Sequence, residues 1–386
     1  MKVLHLITGL GVGGAETQLR SILQHTRHEA DVATLYNPGP VADMIREDGG
    51  RVRDVGMTSN TQISALLKLR RLIRDGRYDV VHAHLYRSQI YGRPAAWLAG
   101  TPVIVSTEHS IGETHLERRP MTAGVRALYL ASERMSAATI AVSTAVRERL
   151  ENWGVPADRI TIIPNGLDLD RVAFDKEARE ASRAEFGLGT DDYVLGVLGR
   201  LDPNKQFDLV IEAAAPLLDS GTKLLIVGKG DERAHLEQVA RDNGVAGQVV
   251  FAGERHDVAA MLSAIDLFVA SSRQETFGLS VLEALGNGAP VLYTTCPALD
   301  GLDVPQASQV PSTIEGMRAA MAAELQAGPR LREPAEAVIQ EYGIAAVTAR
   351  IDSLYEEIAL TRDRGRQGWA GRRRASNPAL AEGGSG

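Results

Sequence analysis

Two glutamates eight positions apart, Glu275 and Glu283, lie in the segment ETFGLSVLE of this sequence. An apolar run precedes the segment, and the pattern after it predicts a helix from about Phe277 to Gly286. Glu275 would lie in the loop before this helix, where free backbone N–H groups and the positive end of the helix dipole face outward. Such a helix end binds anions, and carboxylates nearby accept hydrogen bonds from hydroxyl groups. This arrangement fits a nucleotide sugar, although a capping acid and a solvated helix glutamate fit the spacing alone.

A basic pair in the second half of the chain offers complementary chemistry. The apolar run YVLGVLG ends at Gly199 and Arg200, and Lys205 follows after a turn. A guanidinium and an ammonium at the carboxyl edge of a parallel sheet can share the oxygens of a diphosphate, although they could also form an ordinary surface salt bridge. Gly228 follows the next predicted strand, at a point where backbone could pass close to a ligand.

A glycine loop, GLGVGG, follows the first predicted strand. Gly9, Gly11 and Gly14 match the G-x-G-x-x-G pattern of dinucleotide enzymes, which leaves an NAD(P)-dependent oxidoreductase open. That fingerprint also requires an acidic residue at the end of the second strand, and the run ADVATLY has none there. Gly13 and Gly14 still allow backbone to approach a phosphate. The loop therefore indicates phosphate binding, with a purely structural tight turn as the alternative.

The elements around these residues predict a doubly wound α/β fold. Short Val-, Ile- and Leu-rich runs alternate with amphipathic stretches along the chain, which is typical of parallel sheets covered by helices on both faces. We predict two Rossmann-like domains facing a cleft, at residues 1–170 and 185–342. A terminal amphipathic helix at 343–361 is expected to pack toward the first domain. Residues 362–386, which lack apolar periodicity, are expected to form a disordered basic tail.

Composition narrows the class of protein. The chain has 386 residues, of which 44% are hydrophobic and 24% charged, as in soluble globular proteins with two domains. The single cysteine excludes an internal disulfide framework and a multi-cysteine metal site. The first residues predict a buried strand rather than a signal peptide, and no run of 18 apolar residues occurs. These features favour a cytoplasmic enzyme.

Charge is distributed unevenly along the chain. Residues 1–166 contain 20 Lys and Arg against 16 Asp and Glu, whereas residues 167–361 contain 16 against 31. In the basic segment 64–77, Leu66, Leu67, Leu69 and Ile73 alternate with Lys68 and four arginines. A helix of this type could lie on anionic lipid, and a helix with one face in the core and a solvated basic face is the alternative.

The motifs occur in an order that resembles a known family. GGAE, PNG, GRL with a following lysine, VGKG, FAG and ETFGLSVLEALGNGAPV together resemble the retaining GT-B glycosyltransferases of family 4, from about residue 1 to 293. The resemblance implies transfer of a hexose from a nucleotide-diphosphate sugar to a hydroxyl acceptor. A bacterial envelope polysaccharide or a lipid-linked glycan is the expected setting, with a small natural product as the alternative acceptor. A non-catalytic nucleotide-sugar-binding protein also stays open, and no nucleic acid partner is expected.

The resemblance also implies roles for single residues. Glu275 would contact hydroxyls of the donor sugar, and Glu283 would hold the ribose. The residues whose backbone N–H groups would meet the sugar and phosphate are Phe277, Gly278 and Leu279.

The remaining roles concern the leaving group. Arg200 and Lys205 would neutralise the diphosphate, the Gly13–Gly14 loop would close over it, and Gly228 would contribute to the nucleotide site. His109 would lie beside the donor sugar, unless it is an ordinary histidine of a strand-end loop. No covalent nucleophile is expected, because the family is thought to react on one face of the sugar, with the diphosphate helping to deprotonate the acceptor.

Two segments qualify the resemblance. Asp168-Leu169-Asp170 forms a formal DxD triplet, but it lies in the interdomain linker, and no metal cofactor is expected. Many relatives have a Gly-Gly turn and a further glutamate after the paired-glutamate segment, whereas this chain has TTCPALDGLDVPQ at 294–306. That segment would normally line the nucleotide cleft, so the sequence leaves the base and the sugar open.

Overall fold

The computed structural model describes residues 1–375, except Val12, Asn60, Thr61, Glu113, Thr114, Glu117 and Arg118. Only the backbone is described at residues 115, 116, 119 and 363–375.

Seven parallel strands form the first sheet, in the order β3-β2-β1-β4-β5-β8-β9. Central strands are buried along nearly their whole length, which explains their continuous apolar runs. The strands are β1 (Lys2–Ile7), β2 (Glu29–Thr34), β3 (Arg51–Asp54), β4 (Val80–His84), β5 (Val103–Glu108), β8 (Ala138–Ala141) and β9 (Ile160–Ile162). A short antiparallel hairpin consists of β6 (His115–Leu116) and β7 (Arg119–Pro120).

Six parallel strands form the second sheet, in the order β12-β11-β10-β13-β14-β15. They are β10 (Tyr193–Leu198), β11 (Thr222–Val227), β12 (Val249–Gly253), β13 (Leu267–Ala270), β14 (Val291–Tyr293) and β15 (Ala307–Gln309). The predicted class, two Rossmann-like α/β domains, is therefore confirmed.

Helices connect most of the strands as crossovers, one helix precedes the second sheet, and the last three follow its final strand. In the first half the helices are α1 (Gly14–His25), α2 (Gly39–Glu47), α3 (Ile63–Gly76), α4 (Tyr86–Ala99), α5 (Ala123–Glu133) and α6 (Thr144–Trp153). In the second half they are α7 (Lys176–Glu185), α8 (Phe207–Ala214), α9 (Arg233–Asp242), α10 (Val258–Ala264), α11 (Leu279–Gly286), α12 (Ile314–Ala327), α13 (Glu336–Tyr342) and α14 (Ile344–Ala375).

The segment between the two predicted domains, residues 171–184, contains nearly all of helix α7. The Asp175 side chain caps this helix by accepting hydrogen bonds from the backbone N–H groups of Glu177 and Ala178. Arg179 and Arg183 both bind Asp266, with N···O distances of 2.6 Å, at the start of strand β13. Helix α7 therefore packs on the second sheet. The sequence did not predict this packing, because helix α7 is highly charged and its contacts with the second sheet are ionic rather than apolar.

Helix α14 runs to Ala375, which corrects the predicted start of a disordered tail at residue 362. Six of the fourteen added residues, 362–375, are arginines, which favour helix, and three are glycines, which do not. The last part of the predicted tail, 376–386, lies outside the described residues. Val347, Ile351 and Tyr355 share a buried cluster with Val3 and other residues of the first sheet. Helix α14 therefore follows the second sheet in the chain but packs on the first.

The chain crosses between the two sheets twice, and the two crossings contact each other. Leu167 and Gly343 form an isolated parallel bridge. The Leu167 N–H donates to the Tyr342 carbonyl at 2.6 Å, and the Ile344 N–H donates to the Leu167 carbonyl at 3.0 Å. A Cβ atom added at Gly166 would lie 2.4 Å from Cδ1 and 2.9 Å from Cα of Ile344. Gly166 is therefore required by the close approach of the two segments.

We expect Gly166→Val to destabilise the protein by about 1–3 kcal/mol, because the added side chain forces the two crossings apart. The matched control is Gly247→Val, since a Cβ at Gly247 would meet no atom within 4 Å. Thermal unfolding followed by circular dichroism measures both variants. Equal melting temperatures for the two variants would show that the crossing tolerates separation.

Candidate functional site

The candidate residues lie where strands of the two sheets end on either side of a cleft. The first domain contributes the loop after β1, which contains Gly13 and Gly14, and the loop after β5, which contains His109. The second domain contributes the turn after β10 and the loop after β13. Ligands of parallel α/β folds bind at these carboxyl ends. The fold therefore places the sequence-predicted residues of both domains around one cleft.

Glu275 and Lys205 form an ion pair at the centre of the second-domain edge. Lys205 Nζ lies 2.6 Å from Glu275 Oε1, and the two side chains are 20% and 18% exposed. Asn204 holds the two loops in register, since its Nδ2 donates to the Gln274 carbonyl at 2.9 Å and its Oδ1 accepts from the Gln274 N–H at 3.1 Å. Carboxylate and ammonium thus occupy a fixed position at the cleft.

Arg200 pairs with a neighbouring carboxylate instead of with Glu275. Its Nε lies 2.5 Å from Asp202 Oδ2, and the Arg200 side chain is 54% exposed. Both cations predicted to bind a diphosphate therefore have a carboxylate partner in this structure. An ion pair this exposed contributes about 0–1 kcal/mol, so a phosphate can replace the carboxylate at small cost.

The glycine loop of the first domain reaches the second domain. A Cβ atom added at Gly14 would lie 3.5 Å from Cδ2 of Leu279, the first residue of α11. At Gly13 an added Cβ would lie 2.5 Å from Glu16 Oε2, so a side chain there would displace the glutamate. The start of α1 therefore lies next to the start of α11, where a Cβ at Gly14 would make an ordinary contact, and the constraint at Gly13 comes from Glu16 of the same helix.

His109 contacts the paired-glutamate segment through its backbone. Thr276 Oγ1 donates to the His109 carbonyl at 2.8 Å, and Ser143 Oγ donates to the Thr276 carbonyl at 2.6 Å. Burial lowers the pKa of the His109 imidazole to about 4, while a hydrogen bond with Asn165 acts in the opposite direction. His109 is therefore a neutral imidazole near neutral pH, and Asn165 of the PNG motif is a neighbour that the sequence did not single out.

Glu283 lies on α11, one turn inside the helix, and lines a pocket between the domains. Burial raises the pKa of its carboxyl to about 7, although the Arg171 guanidinium acts in the opposite direction. Arg171 comes from the linker and donates to Ser21 Oγ of α1 at 3.2 Å. The carboxylate predicted to hold a ribose therefore faces the linker and the first domain as well as its own helix.

Gln18 of α1 also lines this pocket, and the sequence gave no sign of it. Its side chain is 3% exposed. Neither polar atom of its amide has a hydrogen-bond partner among the residues that the structure describes. Buried amides without partners are rare because each unpaired group costs about 1–3 kcal/mol. A hydroxylated ligand in this pocket could supply the missing partners.

The residues beside Glu275 have different surroundings. Phe277 is buried and packs edge-on against Tyr342, with 5.4 Å between ring centroids. Gly278 has φ of +102°, and a Cβ there would lie 2.4 Å from Cys296 Sγ, so only glycine fits. Because α11 begins at Leu279, its first N–H groups have no acceptors within the helix. The role predicted for this backbone, binding of sugar and phosphate, stays a prediction.

Gly228 is explained by packing between loops. It has φ of +145°, and an added Cβ would lie 1.8 Å from the Gly199 carbonyl oxygen. The ends of β10 and β11 therefore touch through backbone at this position. Its predicted contact with a nucleotide is not required to explain the glycine and stays a prediction.

Comparisons with known proteins agree with this arrangement. The family described as Glycosyltransferase Family 4 matches residues 12–171. The family described as Glycosyl transferases group 1 matches residues 178–301. The two matches divide the chain between the two sheets, as the structure does.

Individual relatives carry related names. The UDP-Gal:alpha-D-GlcNAc-diphosphoundecaprenol alpha-1,3-galactosyltransferase of Escherichia coli is 28% identical over 60% of this chain and 62% of its own length. A D-inositol 3-phosphate glycosyltransferase of Mycobacteroides abscessus is 31% identical over 64% of this chain and 57% of its own length. The chain thus spans about three fifths of the length of these relatives.

A solved structure shares the fold over nearly the whole chain. The crystal structure of Anabaena HepE in complex with UDP and glucose matches with a TM-score of 0.81 at 21% identity. The match covers 92% of this chain and 100% of that one. The arrangement of two facing Rossmann-like domains is therefore that of the GT-B structures.

The raised pKa of Glu283 predicts a pH dependence of stability. Because the folded protein holds this proton more tightly than the unfolded chain, the free energy of unfolding should fall as pH rises from about 5 to 8. Glu283→Gln should remove this component, roughly 1–3 kcal/mol after allowing for partial exposure. Urea denaturation of both proteins at pH 5 and pH 8 measures it. An identical pH dependence in the two proteins would contradict the prediction.

Proposed function

We propose that this chain, a glycosyltransferase by both of its family matches, is a retaining enzyme that transfers a hexose from a nucleotide-diphosphate sugar to a hydroxyl acceptor. The observation that carries the proposal is the Lys205–Glu275 pair, fixed at the cleft opposite the Gly13–Gly14 loop. It sets a cation for the diphosphate beside a carboxylate for the sugar hydroxyls.

Donor binding would exchange partners within the cleft. Lys205 and Arg200 would turn from their carboxylates to the diphosphate oxygens, which frees Glu275 to accept hydrogen bonds from the sugar. Glu283 and Gln18 would bind the ribose. Gln18 would thereby gain the partners that its buried amide lacks in the described chain.

The transfer step follows from this arrangement. The acceptor oxygen would bond to the anomeric carbon on the face from which the diphosphate leaves, and the acceptor proton would pass to a departing diphosphate oxygen. Lys205 and Arg200 would stabilise the negative charge that develops on the leaving group. The neutral His109 would border the sugar and hold it without adding charge, and no metal ion is part of this scheme.

Uridine is the nucleoside we propose for the donor. The Escherichia coli relative is named for UDP-Gal, and the Anabaena structure contains UDP. A lipid-linked or glycan acceptor is proposed on the name of the same relative, which acts on a diphosphoundecaprenol substrate. Glycosylation of a small natural product is the second candidate for the acceptor.

A panel of UDP-, GDP- and ADP-sugars in a thermal-shift assay tests the donor. A ligand at 100 times its dissociation constant stabilises the folded protein by about 2.7 kcal/mol, so a UDP-sugar should raise the melting temperature by several degrees. Lys205→Ala should abolish this shift and lower turnover by roughly 10²–10³-fold. Lys223→Ala, which removes a half-buried lysine of β11, is the control and should behave as the unmodified protein.

A shift with NADH and none with any sugar nucleotide would replace this proposal with the oxidoreductase reading of the glycine loop. Sugar-nucleotide binding without any transfer or hydrolysis would leave a non-catalytic binding protein.

A lipid-linked acceptor raises the question of membrane contact. In the described chain no helix combines the length and apolar character required to cross a bilayer. Helices α3 and α4 instead present four exposed apolar side chains, here called the α3–α4 patch, with exposures of 75%, 58%, 59% and 44%. They are Ile63, Leu67, Trp97 and Leu98.

Helix α3, which contains most of the basic segment 64–77, fits both interpretations of that segment, a core-facing helix and a helix on anionic lipid. Leu69 and Ile73 are buried in the core, as expected of an ordinary amphipathic helix. Lys68, Arg70 and Arg71 are exposed next to the apolar patch. We propose that the α3–α4 patch rests on an anionic membrane surface, where apolar insertion and charge attraction act together.

We expect the protein to float with vesicles that contain phosphatidylglycerol and less with pure phosphatidylcholine vesicles. The double variant Leu67→Ser/Trp97→Ser should lose most of this binding, since two apolar groups no longer enter the interface. Leu331→Ser is the matched control, because Leu331 is 80% exposed in the second domain. Equal flotation of the double variant and the control would exclude the patch as the binding surface.

A further inference from the structure

Three buried histidines lie directly behind His109 in the first sheet. They are His5 on β1 and His82 and His84 on β4, and each is at most 1% exposed. His5 Nδ1 lies 3.1 Å from His84 Nε2, and His84 Nδ1 lies 3.2 Å from His109 Nε2. A hydrogen-bonded row of three imidazoles therefore runs from the sheet interior to the cleft.

All of these rings are neutral in the folded protein. Burial lowers the pKa of His5 to about 3 and that of His109 to about 4. Burial also lowers the pKa of His84 well below its usual value, and the neighbouring histidines act in the same direction. A neutral imidazole has one N–H donor and one acceptor nitrogen. Each hydrogen bond in the row therefore constrains the proton position of the next ring.

Only two proton arrangements satisfy the row. If His84 carries its proton on Nδ1, it donates to His109 and accepts from His5, so all three rings are protonated on Nδ1. If His84 carries its proton on Nε2, the direction reverses and all three rings are protonated on Nε2. The tautomer of His109 is thus coupled to that of His5, two hydrogen bonds away.

Asn165 favours the first arrangement. Because His109 Nε2 faces His84, only Nδ1 of His109 is available to Asn165 or to a ligand. The hydrogen bond with Asn165 raises the pKa of His109, as expected where the amide oxygen accepts the imidazole proton.

His82 stands beside the row without belonging to it. Its Nδ1 lies 2.6 Å from the Tyr355 hydroxyl, and its Nε2 lies 2.7 Å from Thr107 Oγ1. Its ring centroid lies 4.0 Å from that of His84, so it packs against the row.

His5, His82 and His84 are also close enough together to bind a metal ion. Both nitrogens of His82 are already hydrogen-bonded, however, and a bound ion would have to break one of these contacts. The observed contacts therefore favour a hydrogen-bonded arrangement over a metal centre.

We propose that His5 and His84 form a proton-ordering relay that holds His109 in the Nδ1–H tautomer, and that the N–H which His109 donates to Asn165 is the group that a bound sugar would take over. His84 and His5 are positioning residues that act through His109. The relay rests on the proposed function only for its effect on transfer, since the tautomers exist without any substrate.

Nitrogen-15 NMR of histidine-labelled protein without ligand tests the relay directly, because protonated and unprotonated ring nitrogens differ widely in chemical shift. We expect His5, His84 and His109 all to be protonated on Nδ1, with signals assigned by single His→Gln variants. Any mixed set, such as Nδ1–H on His84 with Nε2–H on His109, would overturn the relay. So would a metal ion retained stoichiometrically after dialysis against a chelator.

A pair of variants tests the consequence of the relay for sugar transfer. His84→Phe keeps a ring of similar size but removes both hydrogen bonds, so the fraction of His109 in the Nδ1–H form should fall to what the Asn165 hydrogen bond alone maintains. With a working donor, kcat should fall about 10- to 100-fold with a smaller change in KM, since the misoriented donor group affects a bound sugar. His82→Phe, equally buried on the same strand, should leave the His109 tautomer and kcat near their original values.

The outcomes separate the relay from the proposed function. Ordered tautomers without detectable transfer would support the relay and refute the activity. Transfer with normal kcat in a folded His84→Phe protein, judged by circular dichroism, would refute the effect of the relay on transfer. If His84→Phe does not fold, His5→Phe tests the coupling from the far end, and an unchanged single His109 tautomer there would overturn it.

Discussion

The contact between the two interdomain crossings, Leu167 against Gly343, is the constraint on which the rest of the site depends. A chain that crosses once can place its second domain in many orientations, whereas two crossings bonded to each other leave one axis of rotation. That axis turns the carboxyl ends of both sheets toward one cleft. The contact of Gly14 with Leu279 and the hydrogen bond from Thr276 to His109 both require this orientation. Helix α14 secures it, because it begins at the second crossing and packs on the first sheet. Closure around a ligand would be movement about this axis.

Charge within the cleft is balanced by two local ion pairs that differ in exposure. The Lys205 and Glu275 side chains are 20% and 18% exposed, whereas that of Arg200, paired with Asp202, is 54% exposed. The Arg200–Asp202 pair therefore costs little to separate, and in the proposed function the diphosphate would compensate Lys205 when it leaves the more buried Glu275. Glu283 differs, because its neighbour Arg171 does not fully offset the effect of burial on its pKa. The carboxylate proposed to bind a ribose and the carboxylate proposed to exchange partners thus lie in different electrostatic surroundings.

The sequence predicted features that depend on neighbouring residues better than features that depend on contacts between residues far apart in the chain. The apolar runs predicted the central strands of both sheets, since burial on both faces leaves a continuous signal in the chain. The short edge strands β3 and β15 were missed, because their residues are polar or exposed. The paired glutamates, Arg200, Lys205 and the glycine loop could be predicted to lie at strand ends. Gln18 and the histidine row could not, because Gln18 is notable only for lacking a partner among the described residues, and His5 and His84 are 79 residues apart in the chain. Gly228 shows the opposite case, in which the glycine suggested a ligand contact and the packing of the Gly199 carbonyl already explains it, so that the ligand contact stays a prediction.

The segment 294–306, where this chain departs from the family that it resembles, packs against the loop before helix α11. The Ala298 N–H donates to the Phe277 carbonyl at 2.9 Å, and Cys296 Sγ packs against Gly278. The Tyr342 hydroxyl donates to the Ala298 carbonyl at 2.5 Å, which joins this segment to the second crossing. The pocket beside Glu283 is lined instead by residues of α1, α2, the linker and the end of β12, with Arg255 and His256 among them. None of the described residues that line this pocket belongs to 294–306. The expectation that the segment lines the nucleotide cleft therefore stays a prediction, and the contacts observed for the segment are those that support the start of α11.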